Sequence, residues 1–224
     1  MDGRRNGAWA LIAGAVLVVV VFAVHPSHAG GAPVVGPFTL AQLVHGTALV
    51  GVPLLAFGMW QMAEWLGLER MVVRFGLILA GLAMALTANA AVVSNFMTPA
   101  AARASAMNHA PAVATGVSSA SPAPAQMQMP PLVGVSVALN RGFAQVHVGY
   151  FSLALLLFGV GALARFPIVG WAGIAVGAYP VLWQLSGRFS PETTTMPWIA
   201  FPQAAWLMAM AIAMLRSAHN EASG

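Results

Sequence analysis

The stretch AWALIAGAVLVVVVFAV, Ala8–Val24, runs 17 residues without a charged side chain. About 20 apolar residues are enough for a helix to cross the hydrocarbon core of a bilayer. Five further runs have the same character: Phe38–Ala63, Val72–Phe96, Gly142–Leu163, Pro167–Leu185 and Pro197–Leu215. None alternates polar and apolar residues as an outer-membrane strand does. In lipid the backbone must satisfy its own hydrogen bonds, so each run is read as a helix. The chain is expected to be an all-α, polytopic membrane bundle of about six helices in a single domain, with the lipid bilayer as its first partner.

Composition supports this class. Of the 224 residues 59% are hydrophobic and only 6% charged, against roughly 25% charged in soluble domains. The net charge of +4 comes from nine arginines with no lysine. Apart from Arg4-Arg5 they are scattered singly, so no basic stripe addresses nucleic acid. Cysteine is absent, which removes disulfides, thiolate metal sites and thiol nucleophiles.

Arginine near helix ends is retained on the cytoplasmic side. With the N-terminus inside, Arg4, Arg5, Arg70, Arg74, Arg165 and Arg216 lie inside, and Arg103, Arg141 and Arg188 outside. The expectation is a multi-pass protein of the cell membrane with both termini cytoplasmic. The first run competes with a second reading. Arg4-Arg5, an apolar core and Ser27-His28-Ala29 before Gly30 resemble a cleavable signal peptide. Its 17 apolar residues exceed the usual length of about 7–15, which favours a retained helix.

Residues 97–139 are expected to form a flexible, extracytoplasmic loop. Their Ala, Pro, Ser and Met composition, with Pro99, Pro111, Pro122, Pro124, Pro130 and Pro131, buries little. The flanking halves look alike. Ala41-Gln42-Leu43-Val44-His45 opens one helix and Ala144-Gln145-Val146-His147 another. Phe57-Gly58 and Phe158-Gly159 follow, and Gly81 to Pro99 matches Gly173 to Pro191 at 18 residues. This spacing predicts a tandem two-helix hairpin repeat, parallel about the membrane normal.

The repeat directs attention to histidine. His45 falls seven residues past Phe38 and His147 seven past Asn140, which at about 1.5 Å per residue is about 10 Å into each helix. Imidazole ligates metals and haem iron, and polar groups inside a membrane are functional candidates by default. The pair is therefore the candidate cofactor site, for haem or copper. Equally, such histidines can simply hydrogen-bond a neighbouring helix. A bundle with paired intramembrane histidines loosely resembles the membrane b-type cytochromes. Candidate metal ligands from the same side are His25, His28, His109, Met107, Met127 and Met129, because thioether sulfur favours Cu(I) and imidazole accepts copper. Carboxylates are scarce and unpaired, and no hydrolase, nucleotide-binding or zinc-protease motif is present. No enzyme class follows. Three functions remain: metal or haem binding in electron transfer or copper handling, a small-solute permease or sensor, and a non-catalytic assembly protein.

Overall fold

A computed structural model describes residues 2–24, 34–35, 38–109, 131–190 and 195–223. Six helices in it are long and apolar enough to cross a membrane. They are α1 (Asp2–Val24), α2 (Leu40–Leu66), α3 (Met71–Val92), α5 (Pro131–Ala162), α6 (Pro167–Leu185) and α7 (Pro197–Ser223). A π turn, Val93–Met97, joins α3 to a further helix, α4 (Thr98–His109). The only strands among the described residues are β1 (Val34–Val35) and β2 (Phe38–Thr39), paired antiparallel.

The helices pack in chain order, α1 on α2, α2 on α3, α3 on α5, α5 on α6 and α6 on α7, and α7 returns to α1 to close a ring. Glycine sets the distance at two seams. A Cβ on Gly58 would lie 2.8 Å from the Leu11 nitrogen, and one on Gly14 would lie 2.6 Å from Leu55. At Gly177 a Cβ would lie 2.5 Å from the Ser152 carbonyl, and at Gly159 it would lie 2.6 Å from the Ile174 nitrogen. Without a hydrophobic driving force between helices in lipid, this close backbone approach supplies the van der Waals attraction. Gly173 does the same for a side chain, receiving the Trp206 indole of α7, whose Nε1 donates to the Val169 carbonyl at 2.8 Å.

Tight turns connect the helices on the face that carries both termini. Gly67 ends α2 at φ +99°, a left-handed conformation natural to glycine, and its N–H donates to the Ala63 carbonyl at 3.0 Å. Pro167 opens α6 at its first position, where its fixed φ suits a helix and no N–H is needed. Arg70 in the α2–α3 turn donates to the Gly161 carbonyl at 2.6 Å, placing a cation on the carbonyl end of α5.

Inside the ring Met59, Met62, Leu155, Phe158, Leu207, Met210 and Met214 are fully buried, so the middle is a packed core. The outside is the reverse. Val50, Phe75, Ile78, Trp171 and Leu182 are all more than half exposed. An apolar belt of this extent suits hydrocarbon, not water.

Two boundaries differ from the sequence reading. Residues 98–109 and 131–139, expected within a flexible loop, are helical. Pro131 caused no break because it is the first residue of α5, and Thr98 donates to Ser136 at 3.1 Å, tying α4 to that added turn. α5 is therefore 32 residues long, starting nine before the expected Asn140.

Candidate functional site

His147 sits in the middle of α5, against α3. Its Nδ1 lies 3.0 Å from the Ala83 carbonyl oxygen and 2.8 Å from Thr87 Oγ1. A carbonyl only accepts, so Nδ1 carries the proton. Thr87 also donates to Ala83, its own carbonyl one turn back, at 3.1 Å. Phe151, one turn along α5, stacks on the imidazole with centroids 5.5 Å apart and planes at 17°. This fixes the Nδ1–H tautomer and leaves Nε2 as the basic nitrogen. The arrangement is the one that orients ligating histidines, and it also serves as a simple interhelical clasp.

His45 is half-buried near the start of α2. One residue on, Gly46 faces Asn95 of the π turn. Asn95 is 9% exposed, and with its carboxamide oriented to suit its neighbours it donates to the Gln42 carbonyl at 3.2 Å and accepts from the Gly46 N–H at 3.1 Å. The π turn inserts one extra residue per turn, which re-aims side chains, and such turns occur often at functional sites. A groove of about 390 Å³, lined by Gln42, Gly46, Thr47, Asn95 and the exposed Leu43, Val50 and Phe96, opens beside it on the outer surface of the bundle.

The equal depth expected for the two histidines is not found. Helix α3 serves as a ruler, since His147 bonds at Ala83 and Thr87 while Gly46 faces Asn95. Eight to twelve residues of α3 and the π turn that continues it separate these levels, roughly 12–18 Å at about 1.5 Å per residue. Helix ends agree in sign. His147 lies 15 residues before the end of α5 and His45 lies 21 before the end of α2, a difference of about 9 Å. The physical reason is the earlier start of α5, which puts His147 in the middle of that helix and not near its start. One metal with bonds of about 2 Å does not fit between such levels.

The α1–α2 register places His45 differently. Leu11 meets Gly58, Gly14 meets Leu55 and Leu17 meets Gly51, antiparallel. Continued by two turns, that register sets Val24, the last residue of α1, level with His45. His25, His28, Met127 and Met129 lie outside the described residues; Met107 and His109 belong to the backbone of α4. Among the described residues no three of His, Cys, Asp and Glu gather closely enough to hold a metal.

Among the described residues, the remaining polar groups of the apolar helices are dispersed. Asn89 is exposed and bonds its own helix at Ala85, and Gln184 reaches the Gln145 carbonyl at 3.0 Å. Sequence reading missed the fully buried Ser152, which accepts from Gln203 at 2.9 Å, because neither residue stands out in composition or repeat. It also missed Thr87, whose importance comes only from facing His147. Comparison of the chain with protein-family models, with curated proteins and with solved structures gave no match.

Proposed function

We propose that this multi-pass protein of the cell membrane binds a metal ion, copper by ligand chemistry, at the face opposite its termini. His45 is one ligand in this reading. His25 and His28, which follow α1 directly in sequence, and Met107, His109, Met127 and Met129 supply the others. Imidazole and thioether donors without thiolate or paired carboxylate favour copper over hard cations. The observation that carries the reading is the α1–α2 register, which brings the end of α1 to the height of His45. Haem held between His45 and His147 is not favoured, since axial ligands must meet one iron and the two histidines stand at different heights. His147 is assigned to the α3–α5 clasp. Both termini are taken as cytoplasmic from the arginine distribution.

The hairpins α2–α3 and α5–α6 are proposed to be diverged parallel repeats. The register of Gly76 on Ala154, Ala83 on His147 and Thr98 on Ser136 makes α5 antiparallel to α3, and so parallel to α2. Matched positions now do different work, for Gly58 packs on α1 and Gly159 on α6.

The test of function is elemental analysis of detergent-purified protein expressed with ample copper. Stoichiometric copper in the wild type, lost in His45→Ala and in His25→Ala/His28→Ala but kept in His147→Ala, is the expected pattern. Wild-type protein without copper sinks the reading.

A further inference from the structure

On the face that carries both termini, hydrogen-bond donors from three separate elements converge on one hydroxyl. Ser217 of α7 receives Arg165 Nη2 from the α5–α6 turn at 3.0 Å, Trp65 Nε1 from the end of α2 at 3.4 Å and Arg4 Nη1 from α1 at 3.5 Å. Its own proton goes toward Glu221 at 3.4 Å. The Arg165 guanidinium is held over Trp65 at 5.0 Å and over Phe166 at 5.4 Å, so its position is fixed by stacking. Beside this node lies a cavity of about 300 Å³, lined by Gly3, Arg4, Gln61, Glu64, Trp65 and Glu221.

A single neutral hydroxyl is a poor match for two guanidinium groups and an indole N–H. Guanidinium forks are matched by oxyanions with several acceptor oxygens, carboxylate or phosphate. Glu221 answers part of this demand by pairing with Arg4 at 2.6 Å, but both partners are substantially exposed, at 28% and 48%. An exposed pair of this kind is weak and readily exchanged. Glu64 is already engaged by Gln61 at 2.9 Å. Trp and Arg together at a helix end are placed where lipid headgroups lie.

We infer that the Arg4–Arg165–Trp65 node around Ser217 binds a phosphate group, which displaces Glu221 from Arg4. The phosphate belongs either to an anionic lipid headgroup or to a soluble phosphate compound. Its oxygens accept from both guanidinium groups and the indole, and occupancy links α1, α2, α7 and the α5–α6 turn. The inference is independent of the metal reading, whose residues lie toward the other face.

The test uses the full chain in two arms. In the first, unfolding is followed in phosphatidylcholine nanodiscs with and without phosphatidylglycerol. In the second, detergent-solubilised protein is titrated with inorganic phosphate against chloride at matched ionic strength, because exposed charges are screened by salt. At least one source is expected to raise the unfolding midpoint; the responding arm identifies it. Arg165→Gln should weaken the apparent affinity about tenfold, the equivalent of one charge-assisted hydrogen bond. Glu221→Gln removes the competing carboxylate and should strengthen it. Arg74→Gln, on the same face but outside the node, should leave it unchanged. A wild type indifferent to both sources overturns the inference. So does an Arg74→Gln variant that loses as much as Arg165→Gln, or a Glu221→Gln variant that binds no better, and the last readout stands even if Arg165→Gln does not fold.

Discussion

At the scale of the residue, His147 shows how a site that is half legible in sequence becomes whole in three dimensions. A histidine in the middle of an apolar run announces a polar group needing a partner. Its partners, the Ala83 carbonyl and Thr87, are 64 and 60 residues away in sequence, and nothing local to either marks them. Because Nδ1–H donates to the carbonyl directly, the two partners are not equal. His147→Ala removes the donor and the ring that Phe151 stacks on, and should destabilise the protein by about 1–2 kcal/mol. Thr87→Val leaves the carbonyl bond in place and should lower stability by less, about 0.5 kcal/mol. Thermal unfolding in detergent reads both. Equal losses in the two variants would mean that the hydroxyl, not the carbonyl, anchors the ring.

At the scale of the element, the six long apolar helices are readable because hydropathy over about 20 residues is a strong signal. Helix ends were less readable. The run Pro131–Leu139 was taken with the Pro-rich loop before it, although proline suits the first helical position and the residues that follow are apolar. Those nine residues move His147 from near a helix start to the middle of α5, about 13 Å along the axis at about 1.5 Å per residue. Glycine was readable as a helix-contact residue in general but not position by position. Gly81 and Gly177 look alike in sequence. A Cβ on Gly81 meets nothing within 4 Å, whereas one on Gly177 falls 2.5 Å from the backbone of α5. Gly177→Ala must therefore push α5 and α6 apart, with an expected loss of about 1–3 kcal/mol. Gly81→Ala gains helix propensity and should be neutral or stabilising by up to about 1 kcal/mol. Unfolding midpoints that fall together for both would show that the α5–α6 seam is looser than its glycines indicate.

At the scale of the whole molecule, each helix depends on a closed ring, and α1 is the closing member. Polar contacts stitch the seams: Asn95 between the π turn and α2, His147 between α5 and α3, Gln184 between α6 and α5, Trp206 between α7 and α6, and Arg4 with Glu221 between α1 and α7. The pairing of Arg4 with Glu221 also puts both ends of the chain on one face, as an even number of crossings requires. The sequence alone left α1 open to two fates, a retained helix or a removed signal peptide, because both begin with arginine and an apolar run. The packing of α1 favours retention. Ala8, Leu11 and Ala15 are fully buried, and α2 presents Gly58 and Leu55 to α1 at backbone contact distance. Cleavage after Ala29 would open the ring between α2 and α7 and strip the cover from Leu55 and from the Trp65–Ser217 pair. Retention of α1 is accordingly expected. Intact-mass measurement of the membrane-extracted protein should give a chain that includes Asp2–Val24, and a chain beginning at Gly30 would overturn the ring as the mature architecture. A variant lacking residues 2–24 should fail to accumulate, or unfold at a much lower temperature, while Ala29→Arg, which blocks cleavage at that position, should leave the abundance and mass pattern of the protein as it was.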